Sequence, residues 1–203
     1  MIRIKSGSFV FALVFGSLWF LSSCVETVEE QQIVYYNNFS GVDLAGFENG
    51  RLFVWRGDTI AGYYNNEEIA VTIPELPPHN YLKITVELLI HDTWDGNPSD
   101  GGVSGPDQWY MGYDDTEFFR TTFSNTPCVS TFCLYQSYPN NYFRQNIPNY
   151  TTRYRVEQLI EHVNPSVRVF MGDELRQTNS PDPRCDESWS VAAVQIETIL
   201  TNK

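Results

Sequence analysis

The stretch Leu82-Lys-Ile-Thr-Val-Glu-Leu-Leu-Ile-His91 decides the fold class. Leu82, Ile84, Val86, Leu88 and Ile90 alternate with Lys83, Thr85, Glu87, Leu89 and His91, the period of two expected of a strand that buries one face. A helix would place its apolar residues three and four apart instead. Ile69, Val71 and Ile73 repeat the alternation upstream. Between the two runs, Pro74-Glu-Leu-Pro-Pro-His-Asn80 reads as a turn, because proline removes ladder donors and stops a strand. Further short strands fit Ile33–Tyr36, Leu52–Trp55, Gln108–Tyr113, Phe118–Phe123, Val167–Met171 and Val191–Ile199, with Asn, Asp, Gly and Pro filling the intervals. Many short strands, turn-rich connections and 15% aromatic residues predict an all-β chain folded as an antiparallel, jelly-roll-like β-sandwich. One segment fits two readings. Tyr154–Val163 is an amphipathic helix through Val156, Leu159, Ile160 and Val163, or a strand returning across Asn164-Pro165-Ser166.

The N-terminus has the layout of an export signal. Arg3 and Lys5 precede an apolar run from Phe9 to Leu21, broken only by Gly16 and Ser17. As a helix its 13 residues would span about 20 Å, short of the ~30 Å hydrocarbon core of a bilayer. The next residues, Leu21-Ser-Ser-Cys24, resemble the bacterial lipobox: an aliphatic residue, two small residues and a cysteine. The resemblance implies that residues 1–23 are a cleaved signal peptide and that the Cys24 thiol takes the lipid, palmitate included. The implied location is the outer membrane, on its periplasmic or cell-surface face, with the lipid as the only contact with the membrane. Residues 24–32 then form a tether, acidic through Glu26, Glu29 and Glu30, and residues 33–203 form the sandwich.

Removing residues 1–23 leaves 180 residues with 11 basic and 25 acidic side chains, a formal charge of −14. That is enough chain for one ordinary core and short for two. So acidic a surface repels phosphate backbones and disfavours nucleic acid as a partner. Cys128, Cys133 and Cys185 remain, and outside the cytoplasm a pair of them oxidises. Cys128 and Cys133 are expected to close a short loop, with Cys185 as the competing partner. His79, His91 and His162 are scattered and lack a zinc-site spacing.

Six strings follow one another in order: Leu76-Pro-Pro-His79, His91-Asp-Thr-Trp-Asp-Gly96, Gly105-Pro-Asp-Gln-Trp109, Thr121-Thr-Phe-Ser-Asn125, Gln136-Ser-Tyr-Pro139 and Asp186-Glu-Ser-Trp189. Together they resemble a recurrent β-sandwich module of secreted and surface proteins of bacteria. The resemblance implies that the stretch before the last string is a β-hairpin, which makes Tyr154–Val163 a strand paired with Val167–Met171. The chain departs from that module after Trp189. It continues Ser190-Val-Ala-Ala193 where the module carries glycine, an aliphatic residue, aspartate and asparagine.

Candidate chemistry gathers between His91 and Gln108. Asp92, Asp95, Asn97, Asp100 and Asp107 place oxygens at short intervals among glycines, as a calcium ion requires. The same residues suit a loop of Asx turns capping its own amides. Trp94, Trp109 and Trp189, with Asp186 beside them, form a candidate sugar platform, since aromatic faces match the C–H face of a sugar; core packing is the other use of such rings. The chain contains neither a Gly-x-Ser-x-Gly elbow nor the paired carboxylates of sandwich-type glycoside hydrolases. The expected function is non-catalytic binding of a glycan or partner protein. A carbohydrate-active enzyme and a structural subunit of an outer-membrane complex are the alternatives.

Overall fold

In the computed structural model the described residues are 26–94, 96, 103, 105–123, 125, 142–143, 150–178 and 180–202. They form twelve strands in two antiparallel sheets. The strands are β1 (Val28–Asn37), β2 (Phe47–Glu48), β3 (Leu52–Trp55), β4 (Asp58–Tyr64), β5 (Glu68–Ile73), β6 (Tyr81–Asp92), β7 (Gln108–Tyr113), β8 (Thr116–Thr122), β9 (Tyr142–Phe143), β10 (Tyr150–Glu161), β11 (Val167–Glu174) and β12 (Glu187–Thr201). The larger sheet runs β3-β4-β12-β6-β10-β9, with β1 alongside the C-terminal half of β12. The smaller runs β2-β5-β11-β7-β8. The chain passes back and forth between the sheets, and the architecture is the predicted antiparallel β-sandwich.

The alternation in β6 is realised in full. Leu82, Ile84, Val86, Leu88 and Ile90 are all 0% exposed between the sheets. Opposite them lie Val169 and Met171 of β11 and Ile69 and Val71 of β5. Each such side chain contributes roughly 1.5–3 kcal/mol when fully buried. In β12 the inward set begins as Trp189 and Val191 and continues as Val194 and Ile196. This change from odd to even positions is absorbed by a bulge between Val191 and Ala193.

Two expectations are corrected. The strand reading of Tyr154–Val163 holds, but its pairing does not. β10 lies against β6 from Thr151↔His91 to Glu161↔Tyr81, whereas β11 pairs with β5 and β7 in the other sheet. β6 already offers β10 a full-length ladder, and residues 162–166 can bridge the ~10 Å between sheets. The tether is also shorter than residues 24–32, because β1 begins at Val28 and pairs with Thr201. Cys24, Cys128 and Cys133 lie outside the described residues. Cys185 is exposed, and its thiol donates to Asp182 Oδ2 at 3.1 Å.

The sheets are tied by one carboxylate. Asp173 of β11 is 4% exposed and accepts from Trp189 Nε1 on β12 at 2.6 Å. It also accepts from the backbone N–H groups of Asn66 at 2.6 Å and Glu67 at 3.1 Å. Burial outweighs these donors and pushes its carboxyl up to about 6. Because the folded value lies above the ordinary 3.8, stability from this group is full below about pH 4 and falls as pH rises towards 6. The loss amounts to roughly 3 kcal/mol. A carboxyl NMR titration should find Asp173 near 6, and a value of 4 or lower would refute the assignment. Asp173→Asn turns an N–H donor towards N–H donors and should cost about 3 kcal/mol in urea unfolding.

Candidate functional site

The outer face of the larger sheet carries a groove of about 440 Å³. Its floor is made by the outward residues of β6 and β12: Thr85, Glu87, Leu89, Ala192, Ala193 and Gln195. The bulge puts both alanines on the groove, and their small side chains leave its middle open. Arg153 and Arg155 of β10 form one wall. The other is built by Tyr36 of β1, by Asn38 and Ser40 just after it, and by the β3–β4 hairpin through Trp55, Asp58 and Ile60.

The hairpin is held over the sheet by a small second core, in which Trp55, Ile60 and Leu89 pack with Tyr63 and Ala192. Beneath it, His91 is 0% exposed and shares hydrogen bonds with Thr151 Oγ1 and Ser190 Oγ, both at 2.9 Å. The Tyr63 ring lies 4.7 Å from that imidazole and the Trp55 ring 5.9 Å. Gly62 makes this close packing possible, since a Cβ there would collide with Ser190 Oγ.

Charge in the groove is locally balanced. Arg153 Nε donates to Glu87 Oε2 at 2.9 Å, and Arg155 lies 3.7 Å from Glu87 Oε1. Thr85 is 5% exposed, and its hydroxyl, itself shielded from solvent, makes no hydrogen bond among the described residues. Tyr36 is 58% exposed on the rim. These side chains offer an aromatic face, guanidinium donors, and carboxylate and amide acceptors within one concavity.

The sequence-predicted residues lie elsewhere, at the end of the sandwich where β6 stops and β12 starts. Asp92 and Asp107 are 1% and 0% exposed there, and Asp107 Oδ2 accepts from Gly96 N–H at 3.2 Å. Asp95, Asn97 and Asp100 lie outside the described residues. Asp186 accepts from Thr93 Oγ1 at 2.9 Å and Gln177 Nε2 at 2.7 Å. Trp94, Trp109 and Trp189 are each 0% exposed. Trp94 Nε1 donates to Ser188 O at 3.0 Å, and Trp109 meets Trp189 edge-on at 6.1 Å. The expected aromatic platform is therefore corrected: rings without accessible surface pack the core and cannot lie against a sugar. Among the described residues no cluster of three metal-ligating side chains forms.

Sequence reasoning missed Tyr36, Trp55, Arg153 and Arg155. One signal was present: Thr85, Glu87 and Leu89 are outward on β6, yet Leu89 is too apolar for a solvated face. It needed a cover, and the hairpin supplies it.

No protein-family model matches the chain, and no curated protein matches it in sequence. Among solved structures, the C-terminal CBM6 of LamC, a marine laminarinase from Zobellia galactanivorans, is 10% identical with a TM-score of 0.37. The match covers 82% of this chain and 97% of that one. The carbohydrate-binding module CBM6cm-2 from Cellvibrio mixtus lichenase 5A, in complex with cellotriose, is 7% identical with a TM-score of 0.36, covering 84% and 97%. The family GH115 4-O-methyl-alpha-glucuronidase BtGH115A is 10% identical with a TM-score of 0.43 over 81% of this chain, which spans only 17% of that enzyme. Latent PorU from Porphyromonas gingivalis, at 9% identity and a TM-score of 0.39, is matched over 10% of its length.

Proposed function

We propose that this protein is a non-catalytic lipoprotein that binds a glycan in the groove on its larger sheet. The observation that supports this is the groove's composition: exposed Tyr36 on the rim and the Arg153–Glu87 pair on the wall and floor. Sugars are recognised by apolar contact of an aromatic ring with their C–H face and by hydrogen bonds to their hydroxyls. A guanidinium beside a carboxylate serves neighbouring hydroxyls as donor and acceptor together, and charge-assisted bonds are the stronger kind. The groove's volume lies within the range of small-ligand sites.

A glycan array probed with the chain from Glu26 onward, followed by titration calorimetry on the hits, tests this. Tyr36→Ala and Glu87→Gln should each weaken binding about tenfold, or about 1.4 kcal/mol. An empty array, or variants that bind like the wild type, would sink the groove as the site. Shorter oligosaccharides appearing in the incubated mixture would place the protein with the carbohydrate-active enzymes instead.

The anchor belongs to the same proposal. Cys24 carries the lipid and holds the sandwich on the outer membrane. Labelled palmitate should enter the wild type and be absent from Cys24→Ala; label persisting in the variant overturns the assignment.

We propose further that one calcium ion sits at the loop between His91 and Gln108, with Asp92, Asp95, Asn97, Asp100 and Asp107 as its candidate ligands. The density of Asp and Asn in this loop and the burial of Asp92 and Asp107 support it. Calcium takes six to eight oxygen ligands, which Asp and Asn side chains supply. Calcium at a hundredfold excess over Kd would stabilise the fold by about 2.7 kcal/mol. The melting temperature should accordingly rise by several degrees from EDTA to millimolar calcium, and Asp107→Asn should remove the rise. Identical melting in both buffers means that these residues are turn formers.

A further inference from the structure

The register of the larger sheet gives the sandwich two distinct ends. At one end β1 starts, β6 starts and β10 and β12 finish, through Val28↔Thr201, Tyr81↔Ile199 and Glu161↔Tyr81. At the other lie Asp92 opposite Glu187, the Asn66–Asp173 contacts and Arg176. From Tyr81 to Asp92 the strand rises roughly 36 Å.

The first end is tied down up to its outermost residues. Thr27 N–H donates to Asn202 Oδ1 at 2.8 Å, and Asn202 N–H donates to Thr27 O at 3.1 Å. Tyr81 OH donates to Glu26 Oε2 at 3.0 Å. The loops beside them are joined as well. His79 Nε2 and His162 Nδ1 share a hydrogen bond of 2.7 Å, His162 N–H donates to Asn80 O, and Asn80 N–H donates to Ile199 O. Thr27 stands three residues after Cys24, a reach of about 11 Å at most.

We infer that this end is the membrane-facing surface of the protein, and that the bilayer surface is its partner. The inference rests on the lipid anchor at Cys24 proposed above. An 11 Å leash cannot bring a point some 36 Å away onto the surface unless the sandwich lies flat. Lying flat on the larger sheet would desolvate Lys83, Glu87, Arg153, Arg155 and Glu157, and lying on the smaller would desolvate Arg168 with Glu48 and Glu68. The near end instead offers apolar side chains: Val28, Leu159 and Val163 are 59%, 61% and 73% exposed. Glu26, Glu161, Asp114 and Asp115 lie at the same end, so the surface that fits is a zwitterionic headgroup layer without net negative charge. The sandwich stands upright, with its groove raised roughly 13–26 Å along β6 and the Asp92–Asp107 end outermost.

The test uses the full chain, lipidated in bacteria and reconstituted into phosphatidylcholine vesicles that carry a headgroup-attached quencher. A fluorescent non-natural amino acid is placed by codon reassignment at position 163 in one preparation and at position 176 in another; both positions are exposed. Quenching at 163 should exceed that at 176 at least threefold. Equal quenching, or more at 176, overturns the orientation while leaving the anchor standing. Absence of incorporated palmitate removes the anchor and the orientation together. Both labelled chains should melt at the wild-type temperature; should the label at 163 fail this, position 159 replaces it with the same expected ratio.

Discussion

The Asp173 carboxylate is the constraint around which the sandwich is organised. It projects from β11 in the smaller sheet and is met by the Trp189 indole from β12 in the larger. The β4–β5 turn closes on it through two backbone amides, and Asn66 exchanges side-chain hydrogen bonds with the backbone of Leu175. A buried acceptor with three donors from two other chain segments fixes the relative position of the sheets more specifically than non-directional apolar burial does, because hydrogen bonds demand a direction as well as a distance. Trp189, once held, contacts Tyr64 at 4.8 Å and Trp109 at 6.1 Å, so the aromatic centre of the core inherits its geometry from this carboxylate.

Strand identity was legible because it is local. Period-two alternation in β6, β5 and β11 needs only neighbouring residues to be seen, and each of those strands buries the face that it marks. Strand pairing is not local. The turn after β10 reads equally well as a hairpin or as a passage between sheets, and only the competition for β6 decides between them. The bulge in β12 shows the same limit in miniature. Val191-Ala-Ala-Val194 breaks the alternation visibly, yet nothing local says that the slack residues open a groove.

The tryptophans illustrate a different limit. Trp94, Trp109 and Trp189 stand among Asp, Asn and Gly, a neighbourhood that suits a wet rim as well as a buried core. Two of their indoles have buried acceptors waiting, Asp173 for Trp189 and Ser188 O for Trp94, which lets large amphipathic rings go inside. Those acceptors are 16 and 94 residues away in sequence, beyond the reach of any local pattern. The aromatic ring that does face solvent beside the groove, Tyr36, belongs to a strand whose sequence reads as ordinary.

The groove's charge pattern bears on what such a surface can hold. The chain as a whole carries −12, a field that opposes any polyanion at long range. Within the groove, Arg153 and Arg155 lie beside Glu87, with Asp58 on the opposite wall, so the local charge is close to balanced and Arg153 is already paired with Glu87 through Nε. A ligand bringing its own negative charge would have to displace Glu87 from Arg153 against the field of the whole molecule. An uncharged polyhydroxylated ligand would need no such exchange: its hydroxyls would sit beside an intact ion pair, donating to the carboxylate while accepting from the guanidinium. Under the proposed function, this balance fits a neutral sugar better than an acidic one, and the binding would depend weakly on salt and strongly on the placement of Arg153 and Glu87.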